Sequence, residues 1–296
     1  CGCTTPNWSR ETVPPGGTGF IQAKYNPLNR PGAFNKYLTV SIDKQAIPIR
    51  LIIKGNVIPK IKSIEEELPT QLGSIRVQYK SFNMGNIYTV DVPTTKVYDV
   101  YNAGNVAVTF LDSLSAPSYI KMAVNPKTLK PLEKGEIAIS YDAKSRNDLG
   151  FVNDNVTLFT DEKGDDALKA FSVYANIMEY FPPLTEEEKS KVPKPVLSLQ
   201  SHDFGRLKSG QKPILSVTLS NEGKEVLMIR KIQPNCSCII VDTEREEVLP
   251  GKSVELRMTY DTSQSRGNQR KAVTLYTNSP ITPISRITIS AYVEQE

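Results

Sequence analysis

The chain has 296 residues, of which 39% are hydrophobic, and this length suffices for two or three ordinary domains. Lys and Arg are scattered among Asp and Glu and give a formal net charge of only +4, so a nucleic-acid partner is not expected. No apolar run approaches the roughly 18 residues that span a membrane, so we predict no transmembrane segment. His202 is the single histidine, which excludes a multi-histidine metal site.

The segment that begins the chain reappears near its end. Cys1 and Cys3 align with Cys236 and Cys238, and the Pro-Gly turn and the alternating run that follow keep nearly the same spacing. Because the match begins inside the repeating unit, we predict that residues 1–58 form the C-terminal part of an immunoglobulin-like sandwich whose N-terminal strands are missing.

A third version of the unit occupies the middle of the chain. The segment 131–142 has the same pattern of proline, alternating apolar residues and tyrosine. Upstream, VYNAGN at 100–105 matches LSNEGK at 219–224. Copy two therefore covers 71–179 and copy three covers 194–296. Each is close to the roughly 100 residues of an immunoglobulin-type domain.

Charged segments that contain proline separate the copies, and we interpret 59–70 and 180–193 as linkers. In the second linker, Thr185 is a good N-cap for a short helix whose first turn carries Glu186–Glu188. We expect both linkers to act as short, semi-rigid spacers.

Within the copies, apolar residues alternate with polar ones. In copy three, Val254, Leu256, Met258 and Tyr260 are separated by single residues that would face solvent. Such alternation is typical of strands that pack on one face, and turn signals such as LPGK at 249–252 separate them. Helical periodicity is nearly absent. The sequence predicts an all-β fold of tandem immunoglobulin-like antiparallel β-sandwiches in an elongated array.

The first copy resembles a known family. The run CGCTTP at 1–6 is followed by Trp8, a Pro-Gly turn, YNP at 25–27 and RPGAFNK at 30–36. This pattern closely resembles a bacterial immunoglobulin-like family of unknown function with a Cys-Gly-Cys-Thr signature, in the PapD-like and major-sperm-protein group. Copy three departs from it at Ser237, where the family favours glycine. The resemblance implies export to the periplasm or cell surface of a Gram-negative bacterium, and it supplies no established activity.

The two Cys-x-Cys pairs, Cys1 with Cys3 and Cys236 with Cys238, are the sharpest candidates for chemistry. In an extended strand the β-carbons of alternate residues lie about 6–7 Å apart, beyond the roughly 3.5–4.5 Å of a disulfide. A local disulfide therefore needs a bent backbone and would be reducible. Two thiolates could instead hold a soft ion such as Cu(I). Because copy two keeps the framework without cysteines, a purely structural role is the third interpretation.

Two further features allow a functional interpretation beside a structural one. His202 next to Asp203 could act as a general base, and Asp203-Phe204-Gly205 spells a kinase motif, but the companion motifs are absent from the sequence. We interpret this segment as a first strand that bends at Gly205. Trp8, the single tryptophan, lies in a polar loop; it could anchor a partner or stack on a sugar ring, or fold back over a sandwich edge.

Together these patterns predict a non-enzymatic exported protein without a cofactor. Its modules would bind another protein or act as an envelope spacer or adhesion element, through β-edge addition or loop contacts. One alternative is a periplasmic thiol-redox or copper-binding factor that uses the Cys-x-Cys pairs. A further alternative is a polysaccharide-binding accessory protein, with a glycan as its ligand.

Overall fold

The computed structural model describes residues 3–43, 46–59 and 61–294. About 56% of the residues lie in strands and 6% in helices, which confirms the all-β prediction. By internal contacts the chain divides into two compact units, Cys1–Glu67 and Leu68–Glu296.

The N-terminal unit, Cys1–Glu67, contains two antiparallel hairpins and a short helix in its described residues. The first hairpin pairs β1 (Thr4–Trp8) with β2 (Ile21–Tyr25), and the second pairs β3 (Gly32–Val40) with β4 (Ile49–Val57); α1 (Ile64–Glu67) follows. Among the described residues of this unit, Cys3 alone is buried.

The second unit begins with a sandwich that we call sandwich A, residues 68–178. Its strands are β5 (Thr70–Leu72), β6 (Ile75–Val77), β7 (Ser81–Tyr88), β8 (Thr94–Asn102), β9 (Val108–Ser115), β10 (Ile120–Asn125), β11 (Thr128–Leu129), β12 (Lys134–Tyr141), β13 (Gly150–Thr160) and β14 (Leu168–Met178). Helix α2 (Ala143–Arg146) and a 3-10 turn (Gly164–Ala167) lie between strands. The two sheets have the orders β10-β12-β8-β6-β5 and β11-β9-β13-β14-β7.

A second sandwich, sandwich B at residues 195–294, completes the second unit. Its strands are β15 (Pro195–Leu197), β16 (Ser201–Lys208), β17 (Ile214–Asn221), β18 (Leu227–Pro234), β19 (Ile239–Thr243), β20 (Glu247–Val248), β21 (Ser253–Tyr260), β22 (Gly267–Thr277) and β23 (Ile284–Glu294). The sheets have the orders β15-β17-β21-β19 and β16-β23-β22-β18-β20. The alternating residues Val254, Leu256, Met258 and Tyr260 are buried in its core, as the sequence pattern predicts.

The strands of the N-terminal unit correspond in chain order to β19, β21, β22 and β23 of sandwich B. The ladder between β1 and β2 pairs Thr4 with Tyr25, just as Ile239 pairs with Tyr260 in sandwich B. The surroundings differ, because Ile21 is 46% exposed whereas its counterpart Leu256 is fully buried.

Most strand pairs are antiparallel, as the sequence predicts, but one pair in each sandwich is parallel. β7 runs parallel to β14, and β16 runs parallel to β23. Side-chain alternation shows that one face of a strand is buried, but it contains no information on the direction of the neighbouring strand. Both parallel ladders shift register beside a glycine with positive φ, Gly85 or Gly205.

The linker between the sandwiches packs onto sandwich B. Helix α3 (Glu186–Lys189) begins after Thr185, whose side chain accepts a hydrogen bond from the Glu188 N–H in a capping box. Val192 is buried, and Ser279 Oγ donates to the Pro193 carbonyl at 2.7 Å.

Polar groups of β18 connect sandwich B to sandwich A. The Phe151 N–H donates to Gln233 Oε1 at 3.0 Å, and Gln233 Nε2 donates back to the Phe151 carbonyl at 2.8 Å. Lys231 Nζ donates to Asp148 Oδ1 and to the Leu149 carbonyl, both at 2.7 Å. The joint therefore holds backbone atoms as well as side chains.

Charge stabilises the same joint. Burial would raise the pKa of the Asp148 carboxyl, but hydrogen bonds from Lys231 and from the Leu149 N–H bring this pKa below its usual value. A second ion pair joins Arg230 Nη2 to a Glu179 carboxylate oxygen at 3.3 Å.

Asn221 holds together the loops at one end of sandwich B and explains the repeated Asn-x-Gly motif. Its fully buried amide donates to the carbonyls of Glu225 at 2.7 Å and Val248 at 2.9 Å, and its Oδ1 accepts from the Gly223 N–H at 2.9 Å. Asn102 makes the matching three bonds in sandwich A.

We expect Asn221→Asp to lower the free energy of unfolding by about 3 kcal/mol, because it removes two donors from buried carbonyls and buries a carboxylate. Urea denaturation would measure this loss. Asn235→Asp is the matched control, since Asn235 is exposed and its Oδ1 accepts from the Ala272 N–H, a bond that aspartate can keep. Equal losses in the two variants would contradict the role given to Asn221.

A second prediction concerns Gly150 at the joint. A β-carbon there would lie 2.3 Å from Gln233 Oε1 and 2.7 Å from the Tyr276 hydroxyl, and φ is +79°. Gly150→Ala should therefore separate the sandwiches and raise the radius of gyration in small-angle X-ray scattering. Gly267→Ala is the control, because Gly267 has a φ of +65° and open space around its β-carbon position. It should cost only about 1 kcal/mol of backbone strain and leave the radius of gyration unchanged.

Candidate functional site

The structure joins the second Cys-x-Cys pair in a disulfide. Cys236 and Cys238 have Cα atoms 5.2 Å apart, within the usual range for a disulfide. Residues 235–238 form a bend and turn between β18 and β19 rather than an extended strand, and this bent backbone brings the sulfurs together. Both cysteines are half-buried against the core of sandwich B.

Two backbone hydrogen bonds define this turn. The Ile239 N–H donates to the Cys236 carbonyl at 3.4 Å, and the Asp261 N–H donates to the Cys238 carbonyl at 2.8 Å. The second bond ties the turn to the end of β21, so the disulfide lies where β19 begins.

Sandwich A makes the same turn without cysteines. The Ile120 N–H donates to the Pro117 carbonyl, and the Asp142 N–H donates to the Tyr119 carbonyl, both at 2.9 Å. Pro117 and Tyr119 thus occupy the places of the two cysteines. The disulfide is therefore one of two ways in which this chain holds the turn.

A buried polar cluster holds the turn of sandwich A. The hydroxyls of Tyr119 and Tyr141 donate to opposite oxygens of the buried Asp154 carboxylate at 2.8 and 2.7 Å. The Arg146 guanidinium forms an ion pair with the same carboxylate. Burial raises the pKa of the Tyr141 hydroxyl, and its bond to Asp154 raises it further, so this phenol stays a donor. The cluster therefore has a structural role in holding the turn.

The other predicted cysteine pair is only partly described. Cys3 is buried and disulfide-bonded, whereas Cys1 lies outside the described residues. Among the described residues, no group of three or more His, Cys, Asp and Glu side chains could hold a metal ion.

Trp8 is at the end of β1 rather than in a loop. The residue is 43% exposed, and the Arg10 guanidinium lies over its ring at 4.1 Å from the ring centroid. A cation over the ring is a favourable contact within the unit. The structure does not place a second aromatic ring beside Trp8 among the described residues.

His202 and Asp203 both serve the strand that contains them. The His202 ring packs edge-on against Phe204 at 4.6 Å between centroids. Asp203 Oδ1 accepts from the Gly205 N–H at 3.0 Å, which stabilises the bulge where φ of Gly205 is +68°. Asn83 and Gly85 repeat this arrangement in sandwich A. The kinase-like tripeptide is therefore a bulge signal.

A groove of about 370 Å³ lies beside the joint between the sandwiches. It is lined by Thr89, Lys144, Asn147, Asp148, Leu149, Glu179 and Arg230. Its charged side chains are already in ion pairs with protein partners, as for Lys144 with Asp91 at 2.5 Å. The groove therefore belongs to the joint.

The sheet edges provide a feature that the sequence pattern does not locate. Each of the four sheets of the two sandwiches has two end strands. β5, β11, β15 and β20 have only two or three residues, and β7 and β16 are interrupted by their glycine bulges. Short or bulged edges are poor templates for a further strand. β10 and β19 remain as the longer edges without a register shift.

The direction of the free backbone groups of β19 follows from the turn before it. Because Asp261 bonds to the Cys238 carbonyl, these residues form a hydrogen-bonded pair of the ladder with β21. Hydrogen-bonded and non-hydrogen-bonded pairs alternate along an antiparallel ladder. The N–H and C=O groups of Val241 and Thr243 therefore point away from β21, towards the open side of the strand. Ile240, between them, is 61% exposed on the outer face.

The same reasoning applies to β10. Asp142 bonds to the Tyr119 carbonyl, so the N–H and C=O groups of Met122 and Val124 point outwards. Within the part of the chain that the structure describes, both sandwiches therefore have a row of outward backbone donors and acceptors without a neighbouring strand just after the turn.

The matching edge of the N-terminal unit differs at one residue. β1 corresponds to β19, and Pro6 occupies the position of Val241, with the offset that relates Cys3 to Cys238. Proline has no N–H, so this edge lacks an outward donor at its centre.

Comparisons with known proteins agree with this architecture. A crystal structure of a protein of unknown function from Porphyromonas gingivalis W83 is 19% identical, covers 74% of this chain and 100% of its own, and superposes with a TM-score of 0.54. This similarity shows the fold alone. The PapD-like domain 7 of human CEP192 is 12% identical over 40% of this chain and 94% of its own, with a TM-score of only 0.30.

No curated protein sequence matches the chain significantly. In the described residues, none of the helices has the length and apolar character needed to cross a bilayer. A family model described as "Protein of unknown function (DUF1573)" matches residues 1–57 and 196–293, which together are more than half of the sequence. The chain therefore belongs to the DUF1573 family.

Proposed function

We propose that this chain is a non-enzymatic exported protein whose immunoglobulin-like modules bind another protein by strand addition at an open sheet edge. The observation that carries the proposal is β19. It is an end strand of five residues with outward N–H and C=O groups at its centre. It is longer than the two- and three-residue edge strands and has no bulge, so a partner strand can pair with it.

Side chains on β19 support the same role. Ile240 projects an exposed apolar side chain from the outer face, and Val241 is half-buried at the margin of the core. An added strand would cover both, so main-chain hydrogen bonds and apolar burial would act together. The disulfide at Cys236 and Cys238 fixes the turn from which this edge starts.

The disulfide also supports export. Such bonds persist in oxidising compartments and are rare in the cytosol. We therefore propose the periplasm or cell surface of a Gram-negative bacterium as the location, where the modules would act as an interaction, spacer or adhesion element.

The structural roles of His202 and Asp203 support a non-enzymatic protein. His202 is engaged with Phe204, and Asp203 stabilises the bulge at Gly205. These contacts explain the position of both side chains in the strand without a catalytic role.

Site-specific photo-crosslinking tests the proposal. With benzoylphenylalanine at position 240, incubation with envelope extract should give a discrete adduct, because an added strand would lie beside this side chain. The same probe at Tyr292 is the control, since Tyr292 is 43% exposed on β23, a strand that already has neighbours on both sides. Equal labelling at both positions, or none at 240, would refute strand addition at β19.

Removal of the disulfide distinguishes the proposed binding role from the thiol-redox or copper alternative. Replacing both Cys236 and Cys238 by serine should lower the free energy of unfolding by about 1.5–2 kcal/mol, from the chain entropy of a very short loop. Adduct formation at position 240 should persist below the melting temperature. Tight 1:1 Cu(I) binding by the reduced protein, lost in the serine variant, would favour the alternative.

A glycan-binding role would instead require that Trp8→Ala abolish retention on a polysaccharide column.

A further inference from the structure

We infer that β19 of one copy of this chain pairs, antiparallel, with β10 of a second copy. The inference depends on the proposed strand-accepting role of β19 and names its partner. The two strands are the longer uninterrupted edges of the two sandwiches, and the backbone groups of both are directed outwards at known positions.

The hydrogen-bonding pattern limits the possible registers. A ladder forms only if outward-facing residues of one strand lie opposite outward-facing residues of the other. In the register that places Met122 opposite Val241, the five residues 120–124 of β10 lie opposite all five residues of β19, Ile239–Thr243. A shift by two residues in either direction leaves part of β19 without a neighbour.

The side chains on the outer face match in this same register. Lys121 lies opposite Asp242, and Ala123 lies opposite Ile240; all four are exposed in the single chain. Oppositely charged pairs directly across an antiparallel ladder are stabilising. Full overlap of the strands and charge matching thus select the same register independently.

The inner-face side chains are compatible with the pairing. Met122 and Val241 are each half-buried at the margin of their own core and would cover each other. Directly opposite residues of a ladder lie on the same face, so the two cores would lie on the same side of the joined sheet.

Pairing of like edges is less favourable. Two β19 strands centred on Val241 would place Asp242 opposite Ile240, and two β10 strands centred on Met122 would place Lys121 opposite Ala123. Each arrangement sets a charge against an apolar side chain. The unlike pair is therefore favoured, which makes the interface head-to-tail rather than two-fold symmetric.

Zero-length crosslinking of the purified full chain tests the pairing directly. Carbodiimide should couple the Lys121 amine to the Asp242 carboxylate, and mass spectrometry of a mixture of ¹⁴N- and ¹⁵N-labelled protein should show mixed-isotope peptides that contain both residues. The yield should rise with protein concentration. Crosslinks that join only peptides of the same isotope would overturn the proposal.

Sedimentation equilibrium with substituted chains provides the second arm. Lys121→Asp alone and Asp242→Lys alone should each weaken self-association about fivefold, the effect of about 1 kcal/mol for one charge pair. An equimolar mixture of the two variants should recover association, since each chain then offers an edge that matches its partner. Failure of the mixture to recover would contradict the register.

Val241→Pro removes the central outward donor, as Pro6 does in β1. It should abolish both the crosslink and association, whereas Val241→Thr, which keeps the N–H, should retain both. Circular dichroism melting of each variant verifies folding. A monomer at all concentrations overturns the inference. If position 240 then still crosslinks to a different protein, the proposed function stands; if it crosslinks to nothing, both fall.

Discussion

The requirement that backbone hydrogen-bonding groups find partners controls this structure. Inside each sheet every strand meets the requirement through its two neighbours, but an end strand has only one. Most edges of the two sandwiches are limited by short strands or by glycine bulges such as those at Gly85 and Gly205. β10 and β19 are the exceptions, and for this reason the proposed binding is placed on them rather than on a cavity.

The turn before each open edge is held in two chemically different ways. Sandwich B uses a disulfide between Cys236 and Cys238, whereas sandwich A uses Tyr119 hydrogen-bonded to a buried Asp154. Since the same two backbone hydrogen bonds form in both, the geometry of the turn is common to the copies and its chemistry is not. Cysteine at this place is thus explained by the shape of the turn without reference to reactivity.

Much of the fold could be predicted from the sequence because alternation and turn residues report burial directly. Val254 to Tyr260 is such a case. The parallel pairing of β16 with β23 could not, because alternation is blind to strand direction. The joint could not be predicted either, because Gln233 contacts backbone atoms of Phe151. Every residue type has these backbone atoms, so the sequence of neither segment indicates the contact. The open edges could not be located from the sequence either, because an edge is defined by the absence of a neighbouring strand.

The joint between the sandwiches has a consequence for any assembly built from this chain. Because Gln233 and Lys231 fix sandwich B against the tip of sandwich A, the angle between β10 and β19 within one molecule is set by the protein itself. In a head-to-tail polymer that internal angle becomes the rotation from one subunit to the next. A few degrees at Gly150 would then decide between a closed ring and an open helical fibre.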